Sequence, residues 1–213
     1  MFLPNKEFNG LSLCCVGRGT RIENLEIYSS QDDSVEFFGG TVNTKYIASF
    51  FSDDHHAFST RAVGFVSQRF FPPGQSSQTR GPLFHLQNEL SSPANLTATP
   101  DGPLRDGITI FPGGFPLYKN GKLVGGIGIS GDGVDQDDII GFAGTVGFRP
   151  ADKIRCDELP VATNARFLRS KFEDLNATFS LSSGLVSQVR SLLDEGLKGV
   201  RLPYVKFPRN PEV

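Results

Sequence analysis

The pattern of apolar residues is clearest in a central segment of this 213-residue chain, residues 112–138. There Asn120-Gly121 separates two apolar runs. Both central residues of such a tight turn need positive φ, so the segment predicts a β-hairpin. Its second strand is predicted over residues 122–130, which are rich in Val, Ile and Gly. Acidic residues at 135–138 suit the positive end of a helix dipole, which predicts a helix over 138–147.

Helical spacing of apolar residues predicts four further helices, at residues 42–51, 56–68, 165–175 and 185–197. Residues 75–106 are polar and hold four prolines, so we expect a long loop there with one apolar anchor at 84–86. The tail after residue 199 has three prolines and is predicted to be extended. We expect it to lie against the surface or against a neighbouring subunit of a homo-oligomer.

Short strands separated by turns are predicted in the N-terminal part, at residues 11–16, 21–28 and 34–38. Residues 17–25 and 32–43 resemble part of a right-handed parallel β-helix family of bacterial surface proteins. Two coils cannot bury a core alone, because a solenoid needs about three or more repeats. The strands are therefore either a β-helix-like fragment fused to another fold or members of a neighbouring sheet.

Composition indicates a packed protein with neither a nucleic-acid partner nor a membrane span. The net charge is −2 and no strongly basic run exists, which argues against sequence-independent nucleic-acid binding. No apolar run approaches the roughly 18–20 residues of a membrane span.

The N-terminus lacks the apolar stretch of a signal peptide. The chain has 19 Phe, one Met and no Trp, so we expect a core built on phenylalanine, and its three cysteines fit buried thiols.

Several motifs between residue 45 and the C-terminus carry a second resemblance. The main ones are PGGFPL at 112–117, NGKLVGGIGISG at 120–131, VDQDD at 134–138 and LPYVKFPR at 202–209. They resemble the GlcG/HbpS-like family of bacterial proteins, often described as haem-binding or haem-degrading. The resemblance implies an α+β fold, an antiparallel sheet with helices packed on both faces, often in an oligomer. It also implies a periplasmic or secreted location if a leader has been removed.

We therefore predict two domains. Residues 1–44 form an N-terminal strand segment, which either completes the sheet or is a β-helix-like fragment. Residues 45–213 form the GlcG/HbpS-like α+β domain. The family normally begins with a helix and a strand meander, and the N-terminal strands of this chain stand where that meander is expected.

Residues 126–131 match the G-x-G-x-x-G pattern of dinucleotide-binding loops. The strand that contains them belongs to a hairpin, whereas the dinucleotide fold needs a parallel βαβ unit. The glycines therefore indicate close backbone packing and a sharp turn, with a small anion at the backbone amides as the ligand-binding alternative. On that alternative, Gly113, Gly114 and Gly131 are candidate ligand-binding positions.

Haem is the cofactor that the second resemblance implies. Haem iron takes an axial ligand such as His, inside an apolar slot. The candidates are His55, His56 and His85, and the adjacent pair His55 and His56 are the candidate metal ligands. Tyr118 and Tyr204 are alternative ligands. Each histidine also has an ordinary interpretation as an exposed or packed side chain.

The sequence favours a small-molecule binding module for haem or a similar flat anionic ligand, without clear catalytic machinery. It has no Gly-x-Ser-x-Gly, no His-Glu-x-x-His and no P-loop. One alternative is an enzyme of small organic acid metabolism, because relatives are associated with glycolate utilisation. Another is a ligand-free structural or interaction domain of a larger surface protein.

Overall fold

The computed structural model describes residues 36–37, 40–41, 48–72, 79–90, 108, 111–129 and 134–206. Predictions for residues 11–28, for 42–47, for Gly131 and for the tail beyond 206 lie outside these residues. The strands are β1 (Glu36–Phe37), β2 (Gly40–Thr41), β3 (Gly114–Lys119) and β4 (Lys122–Gly128). The helices are α1 (Thr60–Val66), α2 (Phe84–Leu90), α3 (Val134–Gly144), α4 (Val161–Phe179) and α5 (Ser183–Asp194), with 3-10 turns at Asp152–Ile154 and Gly196–Gly199. Residues 48–50 are helical as well, which agrees with the described part of the helix predicted over 42–51. Helices together with antiparallel strands confirm the α+β class.

The central hairpin is confirmed. β3 and β4 pair antiparallel, with Phe115 opposite Ile127. Asn120 and Gly121 have φ of 52° and 76°, the positive values that the turn requires. Because the pair is antiparallel, the glycines of β4 are not part of a parallel dinucleotide-binding unit. In the described part of the chain, β1 and β2 pair only with each other.

Helix α1 is shorter than predicted, since residues 56–59 are not helical. Asp53 holds a turn ahead of the helix by accepting the backbone N–H groups of His55 and His56, both at 2.7 Å. The helix begins only after Ser59, whose side chain accepts from the Ala62 amide at 3.4 Å. A side-chain acceptor at each of these points competes with helical hydrogen bonds, so the helix starts late.

The predicted loop over 75–106 is wrong in one part, because residues 84–90 form helix α2. Leu83, Leu86 and Leu90 are buried at helical spacing along it. This helix has only seven residues, about two turns, so burial of these leucines stabilises it rather than intrinsic propensity. The surrounding prolines masked the apolar spacing in the sequence.

The boundaries of the later helices differ from the predicted ones. Helix α3 begins at Val134, four residues before the predicted start, and ends at Gly144. Asp135 and Asp137 therefore lie in its first turn, where the helix dipole favours negative charge. Helix α4 is longer than predicted at both ends. Helix α5 ends at Asp194 rather than at residue 197, because the chain then enters a left-handed turn.

Phenylalanines are prominent in the described core, where they make up five of the eleven largest fully buried side chains. The ring of Phe115 on β3 lies 5.7 Å from that of Phe142 on α3 and 5.6 Å from that of Tyr204 in the tail. Leu202, Tyr204 and Val205 are all buried, so the described part of the tail packs on the chain's own surface. The Cys156 thiol is also buried, as expected.

Candidate functional site

A cavity of about 440 Å³ lies between the segment after α1, the start of α2 and the outer side of α5. Its volume falls within the range of about 300–1,000 Å³ that is usual for small-molecule sites. It is lined by Arg69, Phe70, Thr79, Arg80, His85, Gln188 and Leu192. We call it the His85 groove. Among the described residues that line it, none is acidic and the charged side chains are basic.

His85 is placed in the groove by the first turn of α2. Nη1 of Arg80 lies 2.9 Å from Nε2 of His85. A guanidinium only donates, so Nε2 accepts and the imidazole is neutral with its proton on Nδ1. Burial, together with the charge of Arg80, lowers the pKa of His85 below its usual value. A neutral imidazole is the form that can bind a metal.

The two arginines of the groove lie over aromatic rings. The guanidinium carbon of Arg69 is 5.5 Å from the ring centre of Phe70, and that of Arg80 is 5.2 Å from that of Phe84. Such cation–π contacts hold the flat guanidinium groups against apolar surface. The groove thus combines apolar walls with planar cations that can bind carboxylates in a bidentate manner.

His55 and His56 lie in the turn before α1 and do not line the His85 groove. The His55 side chain is exposed. Nδ1 of His56 lies 3.0 Å from Oδ1 of Asp53, and its ring stacks on Phe167 at 4.1 Å with the planes 7° apart. An acceptor beside Nδ1 leaves Nε2 with its lone pair, as in many metal-bound histidines.

The surroundings of that histidine pair are acidic. Asp54 follows Asp53 and binds Nζ of Lys122 at 2.6 Å and the Leu123 amide at 2.9 Å. Within the described residues, no group of three or more His, Cys, Asp or Glu side chains is arranged to hold a metal ion. The role of His55 and His56 as metal ligands stays a prediction.

The candidate glycines are placed by the hairpin. Gly113 has φ of +111°, and a Cβ there would lie 2.2 Å from the Ile129 carbonyl oxygen, so glycine is required for close packing. The amide of Gly114 donates to Oγ1 of Thr60 at 2.8 Å. Gly131 lies outside the described residues. The Gly114 amide is thus engaged by the first residue of α1 in this structure.

A partly buried charge cluster, with Asp138 at its buried end, joins α1, α3 and the tail, and no sequence pattern predicted it. Nε of Arg61 donates to Oδ2 of Asp138 at 2.6 Å, and the Lys206 amide donates to the same oxygen at 2.7 Å. Burial raises the pKa of Asp138 above its usual value, against the opposing effects of the Lys206 amide and Arg61. Asp135 binds both Arg61 and Lys206, and its pKa is lowered mainly by the Lys206 ammonium.

This cluster connects residues more than 60 positions apart, so no local motif announces it. Its members pair with one another and hold the tail against α1 and α3, which is a structural role. Asp138 is not among the residues that line the His85 groove. In the described part of the chain, no helix is both long and apolar enough to cross a membrane.

Comparison with known proteins gives two family matches. Residues 1–82 match the model of a pectate-lyase like beta helix domain, and residues 54–145 match that of the haem degrading protein HbpS-like family. The two matches overlap at 54–82, and each covers less than half of the chain. No curated protein and no solved structure matches. Both resemblances stated from the sequence are thereby confirmed: the chain is similar to a β-helix family at its N-terminus and to the HbpS-like family in its middle.

Proposed function

We propose that this chain is a binding protein for a flat anionic small molecule of the haem type, held in the His85 groove. The observation that carries the proposal is the composition of the groove. Two guanidinium groups and a neutral imidazole face one cavity, and the described residues that line it include no acidic side chain. The similarity of residues 54–145 to the HbpS-like family supports a haem-related ligand.

The residues of the groove fit such a ligand by their chemistry. Arg69 and Arg80 are the groups to bind its carboxylates, because a guanidinium matches the geometry of a carboxylate. Phe70 and Leu192 supply apolar walls for a ring system. Bound haem would supply an iron centre that takes a histidine nitrogen as axial ligand. Nε2 of His85 is the nitrogen available for that role once Arg80 turns from the imidazole to a carboxylate.

Electrostatics favour this groove over the turn that holds His55 and His56. In that turn the Asp53 carboxylate lies beside the His56 ring and disfavours an anionic ligand there, whereas Asp54 is paired with Lys122. The charged side chains among the described lining residues of the His85 groove are basic. The proposal also includes a homo-oligomer of this chain, because relatives are often oligomeric.

Titration of the full chain with haemin tests the proposal, read from the Soret band. We expect Arg80→Ala to weaken binding roughly tenfold, the effect of losing one charge-assisted hydrogen bond. We expect His85→Ala to change the position of the Soret band, since it removes the proposed axial ligand. Arg166→Ala is the matched control, because Arg166 is an exposed arginine on α4.

A His55→Ala/His56→Ala double variant tests the other histidine site in the same assay. If haemin binds Arg80→Ala and His85→Ala as it binds the unmodified chain, the proposed groove is wrong. If only the double variant has a Soret band that differs from that of the unmodified chain, the haem site lies in the turn before α1. If no Soret change occurs with any form of the protein, haem is not the ligand.

A further inference from the structure

A left-handed turn follows α5, at residues 196–199. The φ angles of Gly196, Leu197, Lys198 and Gly199 are 69°, 54°, 50° and 72°. For an L-amino acid this region brings Cβ close to the following carbonyl oxygen and is unfavourable, whereas glycine adopts it freely. Two of the four positions are nevertheless not glycine.

Burial explains one of these two residues. The Leu197 side chain is 1% exposed and belongs to the core, so its packing offsets the unfavourable backbone. Lys198 is exposed and makes no comparable contribution to the core. Residues held in such backbone conformations cluster at functional sites, so the contacts of the Lys198 side chain are of interest.

The ammonium group of Lys198 donates to Oγ1 of Thr79. Thr79 lines the His85 groove and is the neighbour of Arg80 in the chain. The backbone at this point is fixed, because the Thr79 carbonyl accepts from the Phe71 amide at 2.9 Å. The left-handed turn therefore brings a third cation to Thr79, at the rim of the groove.

We propose that Lys198 is a ligand-binding residue of the His85 groove and that the ligand carries two acidic groups. One group is bound by the arginines within the groove, and the second by the Lys198 ammonium at the rim. An ammonium has three N–H donors, so the bond to Thr79 leaves donors for a carboxylate. This proposal rests on the proposed function, and it narrows the ligand class to flat diacids.

The test compares two ligands that share a ring system and differ in charge: haemin, with two carboxylates, and its dimethyl ester, with none. The variant is Lys198→Gly, because glycine suits the left-handed backbone and the chain is expected to stay folded. We expect haemin affinity to fall roughly tenfold in this variant, as for one lost charge-assisted bond, and ester affinity to stay unchanged. Lys198→Arg is expected to keep most of the haemin affinity.

The outcomes separate this proposal from the proposed function. If Lys198→Gly binds haemin as the unmodified chain does while Arg80→Ala binds it more weakly, Lys198 has no part in binding and the groove stands. If Lys198→Gly weakens both ligands equally, Lys198 acts through the fold, which overturns the proposal. If haemin binds Lys198→Gly, Arg80→Ala and His85→Ala as it binds the unmodified chain, both proposals are wrong.

Discussion

Ser59 connects helix α1 to the C-terminal tail through two hydrogen bonds. Its hydroxyl oxygen accepts from the Ala62 amide at 3.4 Å as the N-cap of α1, and its hydroxyl group donates to the backbone carbonyl of Tyr204. Ser59 is fully buried and Tyr204 is 1% exposed. Replacing Ser59 by Ala removes both bonds and leaves the Tyr204 carbonyl buried without its donor.

The expected cost has two parts. Losing an N-cap costs about 1 kcal/mol. Leaving a buried carbonyl without a donor costs a further 1–3 kcal/mol, roughly. The free energy of unfolding should therefore fall by about 2–4 kcal/mol, a large part of the stability of an ordinary domain.

Ser182 provides the matched control. It caps α5 with the same geometry, accepting from the Leu185 amide at 3.4 Å, but it is exposed and binds no buried carbonyl. Ser182→Ala should therefore cost only about 1 kcal/mol. Urea denaturation followed by far-UV circular dichroism measures both variants, and equal m-values show that only stability has changed. The reasoning fails if Ser59→Ala is no more destabilising than Ser182→Ala.

Two further predictions concern the hairpin and the helix surface. Gly121→Ala should lower the free energy of unfolding by about 1–2 kcal/mol, from its positive φ alone. Gly113→Ala should lower it by roughly 1–3 kcal/mol more, because its Cβ would lie 2.2 Å from the Ile129 carbonyl oxygen. Equal melting temperatures of the two variants would contradict this. The Arg190 side chain, followed by Arg169, lowers the pKa of Glu173 from 4.5 to about 2. A carboxylate whose pKa is lowered by folding stabilises the fold above its unfolded pKa. The unmodified chain should therefore have a higher free energy of unfolding than Glu173→Gln at pH 7, by under about 1 kcal/mol for this partly exposed pair. The difference should disappear as the pH falls from 4.5 to 2. Urea denaturation across that range measures it, and an advantage of the same size at pH 7 and pH 2 would argue against the pairing.

Local chemistry determined which elements were predictable. The hairpin was predicted correctly because Asn120 and Gly121 carry a conformational requirement that no distant residue can change. The start of α1 was not, because it depends on Asp53 binding two amides and on the bond from Ser59 to the tail. Helix α2 was missed because it is only seven residues long and lies in a polar, proline-rich stretch, so the short apolar spacing at Leu83, Leu86 and Leu90 did not stand out in the sequence.

The candidate site likewise combines features that local sequence predicts with others that depend on distant residues. The sequence identified His85 as a candidate but could not show its environment, because Gln188 and Leu192 lie about a hundred positions later in the chain. Lys198 reaches Thr79 across a similar separation, through a turn whose φ angles only the structure reveals. The cluster of Arg61 and Asp138 was missed for the same reason.

The charge near each histidine bears on which site suits an anionic ligand. His55 and His56 directly follow Asp53 and Asp54; in the structure the Asp53 carboxylate lies beside the His56 ring, and Asp54 is paired with Lys122. His85 has Arg80 five residues before it and Glu89 four residues after it, so the sequence alone does not give the sign of the charge there. The structure brings Arg80 to the imidazole, at 2.9 Å. An anionic ligand needs compensating cations, because burying an unpaired carboxylate is costly. For a ligand of that class, the contacts in the structure therefore favour His85 over the pair, and the groove adds apolar walls and, through Lys198 at Thr79, a third cation.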